Sequence, residues 1–509
     1  MADFHQNGII TTLHNLVQRP VEELEAELVK FSQWRPMTLI LPSLFSELEG
    51  PALSRIVDEL CKVPYLEEIV IGLDRADEDQ YRQALKFFDR LPQKHHILWN
   101  DGPRLRALDA ELAEKGLAPK EAGKGRNVWY CLGYAQASGQ SSAIGLHDCD
   151  IVTYDRSLLA RLMYPVANPL FKYEFCKGFY ARTTSEKMNG RVCRLLVTPL
   201  LQSLKKVYGS LDFLEYMDSY NYPLAGEFSM RSSVARDIRI PSDWGLEIGV
   251  LAEAYRSIST NRLCQVDIAD NYDHKHQDMS EEDDSGGLSK MSIDISKAIF
   301  RKMATEGVVF NQETFRSLKA TYFRTALDLI DAYHDDAMIN GLTLDNHGEE
   351  AAVELFAANI VKAGNQFLDN PSETPFMPSW MRVTSAMPDV FERFFADFGK
   401  KPSDYYILDK LNPGYEVYFG ENSSVKIASE LKEIYELFEK EENVVGEYIQ
   451  INSINFKVVG MFENGNVNMG PTSDIHIPFT TFQQIYNQGD QIGWMMITGK
   501  PEYDIKQIE

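Results

Sequence analysis

The chain has 509 residues, 44% of them hydrophobic, and a formal net charge of −24 at pH 7. That length can bury large cores and predicts two or three folded units of ordinary globular composition. The acidic balance excludes a general nucleic-acid or membrane-surface role, because phosphate groups repel such a chain unless a local basic groove compensates.

The N-terminal "MADFHQNGIITTLHNL" lacks a charged segment followed by an apolar one, and no apolar run approaches the roughly 18 residues of a membrane span. A cytoplasmic protein without a membrane span is expected. Cys61, Cys131, Cys149, Cys176, Cys193 and Cys264 fall at irregular spacings with no CxxC pair, which predicts reduced thiols rather than a zinc site or a disulfide framework.

Between residues 36 and 150, β-rich runs alternate with helical patterns. In order they are "MTLILP", the amphipathic "LSRIVDELCKV", "LEEIVIGL", "YRQALKFFDRL", "HHILWN", a helix near 127–138, and "SSAIGLHD". This alternation predicts an α/β fold with a doubly wound, mostly parallel sheet, whose ligands bind beyond the carboxyl ends of the strands. Asp148 and Asp150 stand at such an end. Two like charges closing an apolar strand repel each other unless a cation or solvent compensates them, and oxygen ligands at this spacing suit Mg²⁺ or Mn²⁺ shared with a diphosphate. The intervening Cys149 is a poor nucleophile, since neighbouring carboxylates disfavour its thiolate. Asp77, Glu78 and Asp79 form a similar acidic run, but in a polar stretch that reads as a solvated helix start.

Other stretches carry chemistry of the same kind. "AGKGRNVW" sets Lys124 between glycines just before a helix, as a phosphate contact or as a surface lysine at a helix start. "MNGRVCRLL" offers Gly190, Arg191 and Val192 at a loop-to-helix transition, where a guanidinium and free N–H groups can grip an anion; the alternative is a surface arginine. Glu227 in "PLAGEFSMR" and Glu247 in "DWGLEIGVL" lie in apolar, glycine-containing surroundings, where a carboxylate is costly unless paired or used. "DIADNYDHKHQDM" places His274 and His276 after a strand-like run, as a metal ligand set or as a polar loop.

Asp278–Lys290 is acidic and aperiodic and reads as a loop or linker. From about Ile293 to Phe395 the pattern is helical. After Arg393 arginine disappears through Glu509, and "EYIQINSINFKVVGMFE" and "DIHIPFT" are strand-like, so a boundary is placed near residue 400. The expected units are 1–280, a helical extension at 281–400, and a small α+β module at 401–509.

In order, "LPSLFSE", "GKG", "HDCDI", "GRV", "LAGEF", "GLEIG" and the histidine motif resemble the retaining glucosyl-3-phosphoglycerate synthase family of nucleotide-sugar glycosyltransferases. The resemblance implies a GT-A-like fold and glucosyl transfer from a nucleotide-diphosphate sugar to D-glycerate or 3-phosphoglycerate, with Mg²⁺ or Mn²⁺. It further implies Asp150 and His274 as metal ligands, and Pro42, Ser43, Leu44, Glu47, Lys124 and Asp148 as nucleotide contacts. Gly190, Arg191, Val192 and His276 become the acceptor cradle, and Trp244, Glu247 and Glu227 the sugar and catalytic pocket. A homodimer without nucleic-acid partners is expected.

The chain departs from the family pattern at Phe45 and Ser46 in the first motif, at Cys193 after "GRV", and at Gln277 or His276 where a basic residue is expected. Losing a hydroxyl and a cation weakens a phosphate site, so glycerate competes with 3-phosphoglycerate as the expected acceptor. Mannosyl or other hexosyl transfer to a small hydroxy acid, or a catalytically silent nucleotide-sugar sensor, are the alternatives.

The tail "LFEKEENVVGEYIQINSINFKVVGMFENG…SDIHIPFTTFQQIY" resembles part of the periplasmic core domain of macrolide-exporter-type ABC transporter permeases. Its pattern reads as continuing at Glu509. A fusion whose tail contributes no catalysis is expected, with a regulatory or docking module as the other reading.

Overall fold

The computed structural model describes residues 6, 8–119, 121–184, 186–273, 287–372, 375–398, 448–451 and 454–457. The chain divides into two compact units, Met1–Asp409 and Lys410–Glu509.

The first unit is built on eight strands: β1 Thr11–Leu13, β2 Met37–Leu44, β3 Leu66–Asp74, β4 Lys94–Trp99, β5 Ala143–Leu146, β6 Phe175–Tyr180, β7 Phe228–Arg231 and β8 Leu263–Ala269. They form one sheet in the order β1-β8-β6-β7-β5-β2-β3-β4. Every pairing is parallel except those of β7, which runs antiparallel to both β5 and β6. This is the α/β, mostly parallel architecture that the alternation of β-rich and helical runs predicts.

Side chains alternate across the sheet, and both faces are covered. Leu39, Leu41, Ile69 and Ile71 enter one apolar layer together with Leu28, Ile56, Phe88 and Leu159 from four helices. Ile40, Val70 and Leu98 enter the other, with Val128 and Trp129 of the helix Lys124–Ser138. Burial on both sides explains why these strands read as continuous apolar runs.

The chain passes from β2 outward to β3 and β4, then returns to place β5 on the other side of β2. The strand order therefore reverses between β2 and β5, and in sheets of this kind ligands bind at such a reversal, beyond the carboxyl ends of the strands. Residues 42–47 and 148–150 lie on the two sides of this reversal.

Helices Gly287–Thr305, Gln312–Ile339, Asn346–Asp369, Trp380–Ala386 and Val390–Phe398 follow the sheet. Asn311 and Asp345 start two of them by accepting hydrogen bonds from Thr314 N (2.8 Å) and Gly348 N (3.1 Å). The rings of Trp129 and Trp380 stack with centroids 4.3 Å apart. Trp380 Nε1 donates to the carbonyl of Trp129 at 2.9 Å, which ties this helical extension to the sheet domain.

Two findings go beyond the sequence reading. The N-terminal segment, to which the sequence reading assigns no secondary structure, contributes β1, which pairs with β8. The helix Gly287–Thr305 has already begun within Asp278–Lys290, while residues 278–286 of that stretch lie outside the described residues. No described helix is long and apolar enough to cross a membrane.

In the second unit, Tyr448–Ile451 (β9) and Ile454–Lys457 (β10) pair antiparallel, inside the segment expected to be strand-like. The expected strand "DIHIPFT" lies outside the described residues.

Candidate active site

Asp148 and Asp150 follow the end of β5. Facing them across the reversal, Pro42, Ser43 and Leu44 end β2, and Glu47 belongs to the short 3₁₀ turn Phe45–Glu49. Burial first, then the neighbouring charge of Asp148, pushes the Asp150 carboxyl up to about 7, although Lys124 acts in the opposite direction. Burial, with Asp148 and Asp150 on either side, drives the Cys149 thiol well above its usual range, so this cysteine stays neutral.

Lys124 is the first residue of the helix Lys124–Ser138. Its Nζ lies 2.6 Å from Asp148 Oδ1 and 3.2 Å from Glu247 Oε1. Burial works against the ammonium, but Asp148 and Glu247 more than compensate and hold its pKa above the ordinary lysine value. Gly125 lets this helix end approach the segment that carries Trp244 and Glu247: a Cβ there would stand 2.0 Å from the carbonyl oxygen of Pro241. Glu247 sits in the first turn of the helix Leu246–Ser257. Trp244 precedes that helix and is 40% exposed, available to a ligand rather than packed in the core.

Beneath Asp148 lies the loop 225–227, which enters β7. A Cβ on Gly226 would fall 2.3 Å from Asp148 Oδ2, so only glycine permits this approach. Glu227 is fully buried, and its Oε1 accepts a hydrogen bond from Tyr272 Oη at 2.5 Å. Its Oε2 is buried with no hydrogen-bond partner among the described residues. Burial, followed by the charge of Asp148, raises the Glu227 carboxyl above its ordinary value.

The structure adds a lysine that the sequence reading missed. Lys177, in the middle of β6, is fully buried, and its Nζ donates to the carbonyl of Ala225 in the same loop. Burial lowers its pKa to about 8, while Glu247 and Glu227 work to keep it charged. The available signal was a lysine placed between Cys176 and Gly178 inside an apolar run.

Gly190, Arg191 and Val192 occupy the expected transition from loop to helix. A π-helical turn, Cys193–Val197, follows and leads into the helix Thr198–Tyr208. Cys193 is buried, and burial raises its thiol to about 12, so it offers no charge to a ligand.

His274 and His276 lie outside the described residues, as does Gln277. The chain leading to them is held close to the aspartate loop: Val152 N donates to Asp273 O at 2.8 Å, and Asp273 N donates to Thr153 Oγ1 at 3.1 Å. Among the described residues, no group of three or more His, Cys, Asp or Glu is placed to hold a metal ion. The donors present are nevertheless hard oxygens in a cluster where carboxylates outnumber ammonium groups, and the raised Asp150 carboxyl records the cost of that excess. This donor set fits a divalent cation whose remaining ligands come from a diphosphate.

A cavity of about 340 Å³ lined by Phe45, Leu48, Glu49, Gln83, Lys86 and Phe87 contains none of the site groups just described. The charged groups are concentrated at the reversal of strand order, in an α/β protein whose acidic cluster carries the donor set of a divalent cation.

Comparison with known proteins names the family. A glucosyl-3-phosphoglycerate synthase of Persephonella marina is 45% identical over 404 residues, which cover 79% of this chain and 100% of the relative. Another, of Methanococcoides burtonii, is 40% identical over 398 residues, covering 77% and 96% respectively. The chain belongs to the glucosyl-3-phosphoglycerate synthase family. A crystal structure of the Mycobacterium tuberculosis glucosyl-3-phosphoglycerate synthase in complex with phosphoglyceric acid is similar at 18% identity, covering 60% of this chain and 90% of that one, with a TM-score of 0.42. Residues 349–509 match the family described as MacB-like periplasmic core domain.

Proposed function

We propose that this chain transfers the glucosyl group of a nucleoside-diphosphate glucose to the hydroxyl of 3-phosphoglycerate, with retention of configuration and with Mg²⁺ or Mn²⁺ bound. The bond from the sugar C1 to the diphosphate oxygen breaks, the bond from C1 to the acceptor oxygen forms, and the acceptor proton is released. The observation that carries this reading is Lys124, which bridges Asp148 and Glu247 at the reversal of strand order in a chain 45% identical to a named synthase.

Asp150 and His274 would hold the cation, with Asp148 beside them; bound there, it would act as a Lewis acid that neutralises the leaving diphosphate. Lys124 adds a fixed positive charge at the same place, preorganised by its two carboxylate partners. Pro42, Ser43, Leu44 and Glu47 line the nucleotide side of the site. Glu227 Oε2 is a buried acceptor suited to a sugar hydroxyl, and Glu247 with Trp244 forms the opposite wall. Glu247 is assigned to orientation and to stabilising positive charge at the sugar, not to deprotonating an inverting nucleophile. Gly190, Arg191 and Val192 hold the acceptor anion, with His276 on the acceptor side.

We further assign residues 1–280 and 281–400 to one catalytic body, and residues 401–509 to a fused module without a catalytic part. A cytoplasmic location suits the use of nucleotide sugars and phosphoglycerate. A homodimer is the assembly assigned. The experiment is a panel of nucleoside-diphosphate sugars against 3-phosphoglycerate, glycerate and other hydroxy acids, with and without Mn²⁺ or Mg²⁺. Metal-dependent release of nucleoside diphosphate only when glucose donor and glyceric-acid acceptor are both present supports the reading. Release with a mannosyl donor alone, or no release with any pair, overturns it.

A further inference from the structure

We propose that Arg182 is the second cation of the acceptor site and determines its preference for a phosphorylated acid. The inference rests on the acceptor reading of Gly190–Val192 given above. A glyceric acid phosphorylated at one end presents two anionic groups, and a single guanidinium grips only one of them bidentately. The cradle therefore needs another cation.

Arg182 meets that need by position. Its carbonyl accepts the N–H of Asn189 at 2.8 Å, so it forms one side of the turn that delivers Gly190. A Cβ placed on Gly190 would lie 3.7 Å from Arg182 Cβ and 3.2 Å from Tyr222 Oη. The guanidinium is partly buried and donates from Nη1 to Tyr222 Oη at 3.2 Å, which aims it along the glycine face of the cradle through a neutral phenol.

Two further basic groups, Arg194 and Lys177, are held by other partners. Arg194 donates two hydrogen bonds to the carboxylate of Glu349 and one, from Nε at 2.9 Å, to the carbonyl of Asn189. Lys177 donates to Ala225 on the catalytic side. Cys193 is buried and neutral. Sequence alone gave no sign of Arg182, since the partner of its guanidinium, Tyr222, lies 40 positions further along the chain.

The test compares kcat/KM for 3-phosphoglycerate and for D-glycerate in the full chain and in the variants Arg182→Met, Arg182→Lys and Arg191→Met. Arg182→Met is expected to lower kcat/KM for 3-phosphoglycerate about ten- to a hundredfold, mainly through KM, and to leave glycerate within about threefold. Arg182→Lys is expected to recover part of the loss, and Arg191→Met to weaken both acceptors. Thermal stabilisation by 3-phosphoglycerate without donor should fall in Arg182→Met, a binding readout independent of turnover. Equal losses for both acceptors, or no loss for 3-phosphoglycerate, overturn the role of Arg182. A wild-type chain that uses neither acid overturns the acceptor reading itself. If Arg182→Met fails to fold, Arg182→Lys decides: an unchanged preference for the phosphorylated acid together with unchanged KM would contradict the assignment.

Discussion

Arg194 and Glu349, 155 positions apart, form a two-pronged buried ion pair, with Nη2 2.6 Å from Oε1 and Nη1 3.0 Å from Oε2. The arginine lies two residues beyond Val192, and the glutamate lies in the helix Asn346–Asp369, so the pair fastens the Gly190–Val192 turn to the helical extension. A parallel tie runs from Thr343 N to Glu186 O at 2.7 Å. Glu349 is also the first residue of the stretch that matches the MacB-like family. That match therefore begins on a residue built into the first unit.

Glu349→Ala should destabilise the first unit by about 3–5 kcal/mol, because the Arg194 charge is left buried without its partner. The double variant Arg194→Met, Glu349→Leu should recover much of the loss, since an apolar pair of similar volume carries no such penalty. Thermal melts of the three proteins check this. A Glu349→Ala protein as stable as wild type would show that the pair has no structural weight.

A chain ending near residue 400 should remain soluble and keep its transferase rate within about threefold of the full chain, as expected for a compact unit with its own core. A chain ending at residue 348 should not fold, since it loses Val353, Phe356, Ile360 and Trp380 from the larger apolar cluster. Expression, circular dichroism and turnover of the two truncations distinguish these outcomes.

Gly226→Ala should reduce turnover by about a hundredfold or more while changing stability far less. Its Cβ would collide with Asp148 Oδ2. Moving a charged group of the site by even an ångström costs about this much. Full activity in Gly226→Ala would mean that Asp148 does not need its observed position.

The Asp150 carboxyl, raised from 3.8 to about 7 by burial and by Asp148, predicts a pH dependence of stability. Between these values the folded protein keeps a proton that the unfolded chain has released, so this group makes the metal-free protein less stable as pH rises from about 4 to about 7. Asp150→Asn removes the titration and should stabilise the metal-free protein at pH 8 by ~1–3 kcal/mol. Melting curves at pH 5 and pH 8 measure the effect, and an Asp150→Asn protein that melts below wild type at pH 8 would contradict it.

The parallel half of the sheet was legible because β2, β3 and β4 are buried on both faces and are separated by amphipathic helices such as Pro51–Leu60 and Glu78–Phe88. The acidic decoy was legible too. Asp77 caps the helix Glu78–Phe88, accepting the N–H of Gln80 at 2.8 Å, and Asp79 is exposed in its first turn. The three residues of β1 and the four of β7 are too short to show a period. Lys124, Asp148 and Glu247 could each be singled out in the sequence, but their meeting at one ammonium could not, because it depends on how Gly125 lets a helix end approach Pro241. Lys177 and Arg182 escaped notice because their partners Ala225 and Tyr222 are brought to them only by the folding of the loop before β7.

The most direct measurement is the release of nucleoside diphosphate from nucleoside-diphosphate glucose, with 3-phosphoglycerate present, by wild type, Asp150→Ala and Asp79→Ala at limiting Mn²⁺. Removing a carboxylate from the proposed cation site should abolish turnover while leaving the fold intact, whereas the exposed helix-start aspartate should be dispensable. Wild type and Asp79→Ala are expected to turn over at the same rate, with no detectable release by Asp150→Ala. Turnover by Asp150→Ala at the wild-type rate would contradict a catalytic site at the reversal between β2 and β5.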